Sequence, residues 1–308
     1  MRIHVIVDFM HIYYKYFFQL REGRMKRLTA PIEWKGTVIE KDISLVYYPL
    51  RDIEGIRNKL EVAGNEVTMS ICFDSPSHRK DEGVEGGEAY KATRKSSLSE
   101  VDFENIELIK KMLKEAGHNT YKMDGYEADD IVNKLVREFK DSFDITGIYT
   151  NDKDLLINVC DNVTVMRFKQ KVGYFQVTKE NYADYLEQEF KVYIPYNMLG
   201  LFLATAGDSS DGIKGIDKFG PKAFSKLLTK VVAKNHIDTT TCGDYGKLHE
   251  VVKLCAEFLT PEQYKQLEVA FGLVSNIEMF EIAPPTERST REKREQVYNK
   301  YKMISLIP

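Results

Sequence analysis

Three short runs of apolar and β-branched residues each end at, or just before, an aspartate. Residues 2–7 run into Asp8, residues 67–73 into Asp74, and residues 144–149 stop just short of Asp152. Residues 162–168 form a fourth run of the same kind. Such runs read as strands. Between them lie helical patterns, such as Phe103, Ile106, Ile109 and Leu113, with Ser99 as N-cap and Gly117 just past the end. Strands alternating with helices imply an α/β fold with a mainly parallel central sheet flanked by helices. In such sheets ligands bind beyond the carboxyl ends of the strands, so the acids ending the first three runs point to one edge. From about Phe190 onward the strand pattern fades. Residues 197–206, 221–232, 247–259 and 261–274 read as helices, and residues 287–302 as a charged, solvated helix or a partly disordered tail. The expected division is an α/β core over residues 1–190 and a helical region over 191–308. Two stretches fit neither pattern: residues 21–42, an irregular basic-leaning insertion holding Trp34, and residues 75–97, polar and glycine-containing.

The acids form five stations. After Asp8 and Asp74 comes Glu127-Ala128-Asp129-Asp130, opening an apolar helix. Then come Asp152-Lys153-Asp154 and Asp208-Ser209-Ser210-Asp211. Carboxylates this close repel one another unless a cation neutralises them. Asp208 and Asp211 share a face if they form a helical turn, and Asp152 and Asp154 converge in an extended segment. Asp129 joins Glu127 and Asp130 only where the helix begins with an irregular first turn. Each station has a plainer reading as a helix cap or turn; five together, three of them ending strands, favour a metal centre. Oxygen-only ligands without His or Cys select a hard cation, Mg²⁺ or Mn²⁺. Two such ions are a recurrent device for phosphodiester displacement.

On these residues the chain resembles the 5′ nuclease superfamily: the 5′–3′ exonuclease domain of bacterial DNA polymerase I, bacteriophage 5′ nucleases and flap endonucleases. The matching pieces are Val7-Asp8, Phe73-Asp74, Tyr90-Lys91-Ala92-Thr93-Arg94, Glu127-Ala128-Asp129-Asp130, Asp152-Lys153-Asp154 and Gly207-Asp208 through Asp211-Gly212, in family order over roughly residues 1–230. The resemblance implies a PIN-like nuclease core holding two ions. Asp8, Asp74, Glu127 and Asp129 would surround the first. Asp129, Asp152, Asp154 and Asp208 would surround the second, with Asp130 and Asp211 acting through water. It also implies a helical arch or clamp at about 75–100, over the site. Phe9 follows Asp8 where the polymerase domains usually have glycine, Lys15 stands where arginine is common, and residues 21–42 have no clear counterpart.

Within that arch, Lys91 and Arg94 are expected to clamp the scissile phosphate, Tyr90 to stack on an unpaired base, and Lys95 to contact DNA; Lys15, outside it, is also expected to contact DNA. The glycine-rich stretch from Gly212 to Pro221 resembles a helix–hairpin–helix-type motif within residues 207–231. There Gly215 and Gly220 would offer backbone N–H groups to a phosphate. Lys214, Lys218, Lys222 and Lys226 would track the duplex backbone without reading sequence. The family implies a possible K⁺ ion at this hairpin.

The expected function is a structure-selective 5′–3′ exonuclease and flap endonuclease, acting on branched or 5′-flap DNA or on duplex beside a 5′ single strand. Alternatives are a nuclease removing RNA primers from RNA–DNA hybrids, and a non-catalytic DNA-junction binder. The 308 residues carry 44 Lys and Arg against 47 Asp and Glu, a net charge of −3. DNA binding then requires the bases to be segregated from the acids, because the local field counts more than the total. The four cysteines lie far apart, against a disulfide or zinc framework. With no signal-peptide pattern and no membrane-spanning run, the expectation is a cytoplasmic monomer in a bacterium or phage-infected cell.

Overall fold

The aspartate-ended runs become neighbouring strands of one sheet. The computed structural model describes residues 1–34, 37–80, 90–92, 97–195, 198–237, 245–274, 280–286 and 288–301. In chain order the elements are β1 (Arg2–Asp8), α1 (Phe9–Arg21), β2 (Thr29–Trp34), β3 (Thr37–Asp42), α2 (Ser44–Val62), β4 (Glu66–Cys72), α3 (Glu100–Glu115), β5 (Asn119–Tyr121) and α4 (Ala128–Phe139). They continue with β6 (Ile145–Tyr149), β7 (Val163–Lys169), β8 (Gly173–Val177), α5 (Tyr182–Phe190), α6 (Leu199–Ala206), α7 (Pro221–Asn235), α8 (Tyr245–Cys255), α9 (Pro261–Val274) and α10 (Arg291–Lys300).

The main sheet has the order β5-β4-β1-β6-β7-β8. β8 runs antiparallel to β7, while the other pairings are parallel. β1 lies between β4 and β6, with Asp8 opposite Cys72 and Val7 opposite Tyr149. Ile3 through Val7 are buried because helices cover both faces; four of the five are apolar, and His4 bonds Ser70 at 2.8 Å. One face carries α1, α2 and α3, with Ile12, Ile53 and Ile109 in one buried cluster. On the other, Ile131 of α4 joins Leu203, Phe224, Val252 and Phe271 of α6 to α9 in a second. The late helices thus share a core with the sheet.

Several expectations change. Residues 21–42 hold an antiparallel hairpin, β2 with β3, rather than an irregular insertion. Short strands near turn residues give a weak periodic signal. α3 has Ser99 as N-cap with a capping box to Asp102, and Gly117 follows its end in a left-handed conformation. Phe103, however, is 53% exposed. The buried stripe runs through Asp102 and Asn105 instead, because Asp102 caps Ser99 and accepts the Tyr13 hydroxyl at 2.9 Å. The charged segment near the end is not a solvated tail. Arg294 and Tyr298 of α10 are each 2% exposed. Arg294 lies against Glu54 at 3.0 Å and Glu61 at 3.1 Å, and Tyr298 donates to Glu54 at 2.6 Å. Two buried anchors four residues apart are hidden in a composition dominated by charge. Among the described residues, no helix is long and apolar enough to cross a membrane, and Cys72, Cys160 and Cys255 are buried.

Candidate metal centre

Strand ends and helix starts place the acids together. Asp8 ends β1 and serves as N-cap of α1, its Oδ1 accepting the His11 amide at 3.3 Å. Its Oδ2 accepts from Thr150, just past β6, at 2.8 Å. Asp74, two residues beyond β4, accepts the Ala128 amide at 2.8 Å and so ties the β4 end to the start of α4. Glu127 is the N-cap of α4, and Asp130 closes a capping box by accepting the Glu127 amide at 3.0 Å. Capping and metal binding are therefore not competing readings: the cap holds the first turn so that Glu127, Asp129 and Asp130 offer oxygens within 4.8 Å of one another. Asp152 and Asp154 converge, but not through an extended segment. Asp152 accepts the Asp154 amide at 3.0 Å, and a single 3₁₀ turn, Asp154–Asn158, starts there. Asp208 and Asp211 lie on a tight turn, with the Asp211 amide on the Asp208 carbonyl at 3.2 Å.

Mutual repulsion shows that the stations share one field. Desolvation, then Asp74, pushes Asp8 up to about 7. Desolvation, then Asp129 and Glu127, pushes Asp74 up to about 6, although its rim is open to solvent. Asp152 is raised by desolvation, Asp129 and Asp211, and Asp154 well raised by desolvation, Asp152, Asp208 and Asp211. Glu127 is the opposite case. Desolvation would raise it, but Lys91, Tyr90 and Arg79 hold it below the usual carboxylate range. Among the described residues, two carboxylate oxygens, Asp154 Oδ1 and Asp208 Oδ2, are buried without a hydrogen-bond partner. Crowded, oxygen-only groups with raised pKa values and orphaned lone pairs fit divalent cations.

Arg79 was not foreseen. Its guanidinium bonds Asp130, and lies 3.0 Å from Glu127 and 3.8 Å from Asp129. Residues 75–97 were recognised as unusual, but nothing in their composition distinguishes Arg79 from its basic neighbours. Thr150, holding Asp8, and Lys153, 2.8 Å from Asp208, were also missed as individuals.

The basic candidates fare unevenly. Lys91 reaches Glu127 at 2.8 Å and Asp211 at 3.5 Å and is buried, so it lies among the acids. Tyr90 is 1% exposed and donates to Glu127 at 2.6 Å. In this state it is not available to stack on a base, because its ring fills the core and its hydroxyl serves the acids. Arg94 and Lys95 lie outside the described residues. Lys15 pairs with Asp52 at 2.8 Å and bonds Tyr174, which leaves its ammonium little to offer DNA. In α1, Tyr13 and Tyr16 are buried, while Phe18 is 43% exposed and stacks on Tyr14.

Gly215 is required by packing: a Cβ there would lie 2.4 Å from both the Gly207 nitrogen and the Thr205 carbonyl oxygen. Gly215 thus packs its backbone against the end of α6. Gly220, in contrast, is the open N-cap of α7, with Pro221 at its first position. Lys214, Lys218, Lys222 and Lys226 are all exposed.

Comparison with known proteins agrees with this geometry. The family model described as 5′–3′ exonuclease, N-terminal resolvase-like domain, matches residues 4–190. A 5′–3′ exonuclease of Aquifex aeolicus (strain VF5) is 28% identical over 247 residues, 78% of this chain and 76% of that protein. DNA polymerase I of Treponema pallidum (strain Nichols) is 34% identical over 140 residues, 46% of this chain and only 13% of the polymerase. Among solved structures, the bacteriophage T5 D15 flap endonuclease in complex with DNA and metal ions superposes with a TM-score of 0.57 at 16% identity, over 89% of each chain. At that identity the superposition establishes the fold.

Proposed function

The chain belongs to the family of 5′–3′ exonucleases with an N-terminal resolvase-like domain, and we propose that it is a structure-selective 5′–3′ exonuclease and flap endonuclease. Its substrate is duplex DNA beside a 5′ single strand, cut to leave 5′-phosphate and 3′-hydroxyl ends. The observation that carries this reading is the convergence of Glu127, Asp129 and Asp130, with oxygens within 4.8 Å, in one electrostatic field with the strand-end acids.

Asp8, Asp74, Glu127 and Asp129 would hold one divalent ion, and Asp129, Asp152, Asp154 and Asp208 a second, with Asp130 and Asp211 behind them. Bound Mg²⁺ or Mn²⁺ supplies Lewis-acid charge that activates water and stabilises a departing oxyanion. The chain's own residues do the rest. Thr150 and the His11 amide orient Asp8. The Ala128 amide orients Asp74, and Lys153 and the Ser210 amide orient Asp208. Lys91 supplies a cation at the scissile phosphate. The exposed lysines from Lys214 to Lys226 and the open N-terminus of α7 hold the duplex backbone. A K⁺ ion between Gly212 and Gly220 belongs to the same reading and rests on family resemblance alone. The test is product mapping on a 5′-flap and on an RNA–DNA hybrid, each with Mg²⁺ and with EDTA. Mg²⁺-dependent cutting near the flap junction is expected. Cutting confined to the hybrid would redirect the reading to primer removal, and cutting of neither would end it.

A further inference from the structure

Both carboxylate oxygens of Glu127 are engaged by groups from one side of the site. Oε1 accepts from the Lys91 ammonium at 2.8 Å; Oε2 accepts from the Tyr90 hydroxyl at 2.6 Å and from the Arg79 guanidinium at 3.0 Å. The other end of the cluster contrasts with this, since Asp154 Oδ1 and Asp208 Oδ2 have no hydrogen-bond partner. A divalent cation at Glu127 and Asp129 would lie within a few ångströms of the Lys91 ammonium, and like charges so close in a desolvated site repel strongly.

The donors are not equally placed to leave. Arg79 is braced by Glu127, Asp130 and Tyr90 together, within 3.8 Å of Asp129 as well. Tyr90 is packed in the core. Among the described residues, Lys91 forms ion pairs with Glu127 and, at 3.5 Å, with Asp211, and its ammonium lies 5.0 Å from the centre of the Tyr90 ring. Its backbone is left-handed, with φ 51°, a conformation costly for a residue with a side chain.

Resting on the reading of Glu127 as a ligand and Lys91 as a phosphate-binding group, we infer that Glu127 exchanges partners: Lys91 leaves it when a divalent cation binds, while Arg79 and Tyr90 remain as positioning residues that aim the carboxylate. Metal loading and the release of Lys91 toward the substrate phosphate are then one event. Without metal, Lys91 is stored against the acids, so the phosphate-binding cation is not presented until the site is charged.

The experiment needs no DNA. Reductive methylation of the full chain, with Mn²⁺ and with EDTA, is followed by mass spectrometry at each lysine. Methylation of Lys91 is expected to rise several-fold with Mn²⁺ while the exposed Lys222 stays unchanged. Unchanged or reduced methylation of Lys91 overturns the exchange. Calorimetry with Mn²⁺ adds a second measurement: Lys91→Met should bind Mn²⁺ about tenfold more tightly, and Tyr90→Phe, which loosens the carboxylate, more weakly. Equal or weaker Mn²⁺ binding by Lys91→Met also overturns it. The flap assay separates the two claims: intact Mg²⁺-dependent cutting with inert Lys91 labelling sinks only the exchange, and the reverse pattern sinks only the nuclease reading.

Discussion

Around Glu127 the protein supplies Arg79 and Lys91 at 3.0 and 2.8 Å, whereas beside Asp154 the described residues set Lys153, directed at Asp208. Arg79 and Lys91 hold Glu127 ionised against the desolvation that would otherwise protonate it. At the other end Asp152 and Asp154 crowd each other, and their protons are held more tightly than usual. One cluster thus uses two ways of tolerating buried negative charge, pairing and protonation. The paired end is pre-shaped at the cost of needing its partners displaced. The unpaired end is unsettled until a cation arrives.

The largest effect should come from the unpaired end. Asp154→Asn or Asp208→Asn removes an orphaned oxygen's charge and should lower Mg²⁺-dependent cleavage by roughly 10²–10³-fold or more. Single-turnover rates near wild type would show that this end does not serve the chemistry. Next, Arg79→Met takes the guanidinium from Asp130 and one of three side-chain donors from Glu127. It should destabilise the metal-free protein by about 3–5 kcal/mol, the usual consequence of breaking a buried pair from one side. Denaturant unfolding in EDTA measures it, and a loss under about 1 kcal/mol would mean the paired end is not paired in solution.

A third expectation concerns pH. Asp8 at about 7 and Asp74 at about 6 have folded-state values above their ordinary 3.8. Their contribution to stability is fully present below about pH 4 and lost as pH rises through 6 and 7. The melting temperature in EDTA should therefore fall between pH 5 and 8, and Mg²⁺ should flatten the fall. Asp8→Asn should raise the EDTA melting temperature at pH 8; a flat wild-type profile would contradict the crowding. The smallest effect is that of Lys153→Met, which removes the cation helping to hold Asp208 below the usual range. The pH midpoint of cleavage should move upward by up to about one unit, and a downward shift would refute the assignment.

The sequence carried most of the sheet and the acids. Residues 3–7 and 67–72 are buried along their length and mostly apolar, and a strand that ends in Asp can be read without its neighbours. The five acidic stations are also local: each is a short motif at a strand end, helix start or turn. Arg79 was not legible because a basic residue in a polar segment looks alike whether it faces water or three carboxylates. Tyr90 and Lys91 were read as reaching outward for the same reason, and α10 as solvated, since two buried residues in ten do not mark a helix as docked.

The sequence by itself therefore determined that Asp8 and Asp74 would stand at or just beyond strand ends and that Glu127, Asp129 and Asp130 would open one helix, because a strand end and a helix start are local properties. What only the tertiary structure decided is how that charge is tolerated. That depends on contacts between segments far apart in sequence, Arg79 on Asp130 and Lys91 on Glu127 and Asp211, whose partners are chosen by packing in three dimensions and not by spacing along the chain.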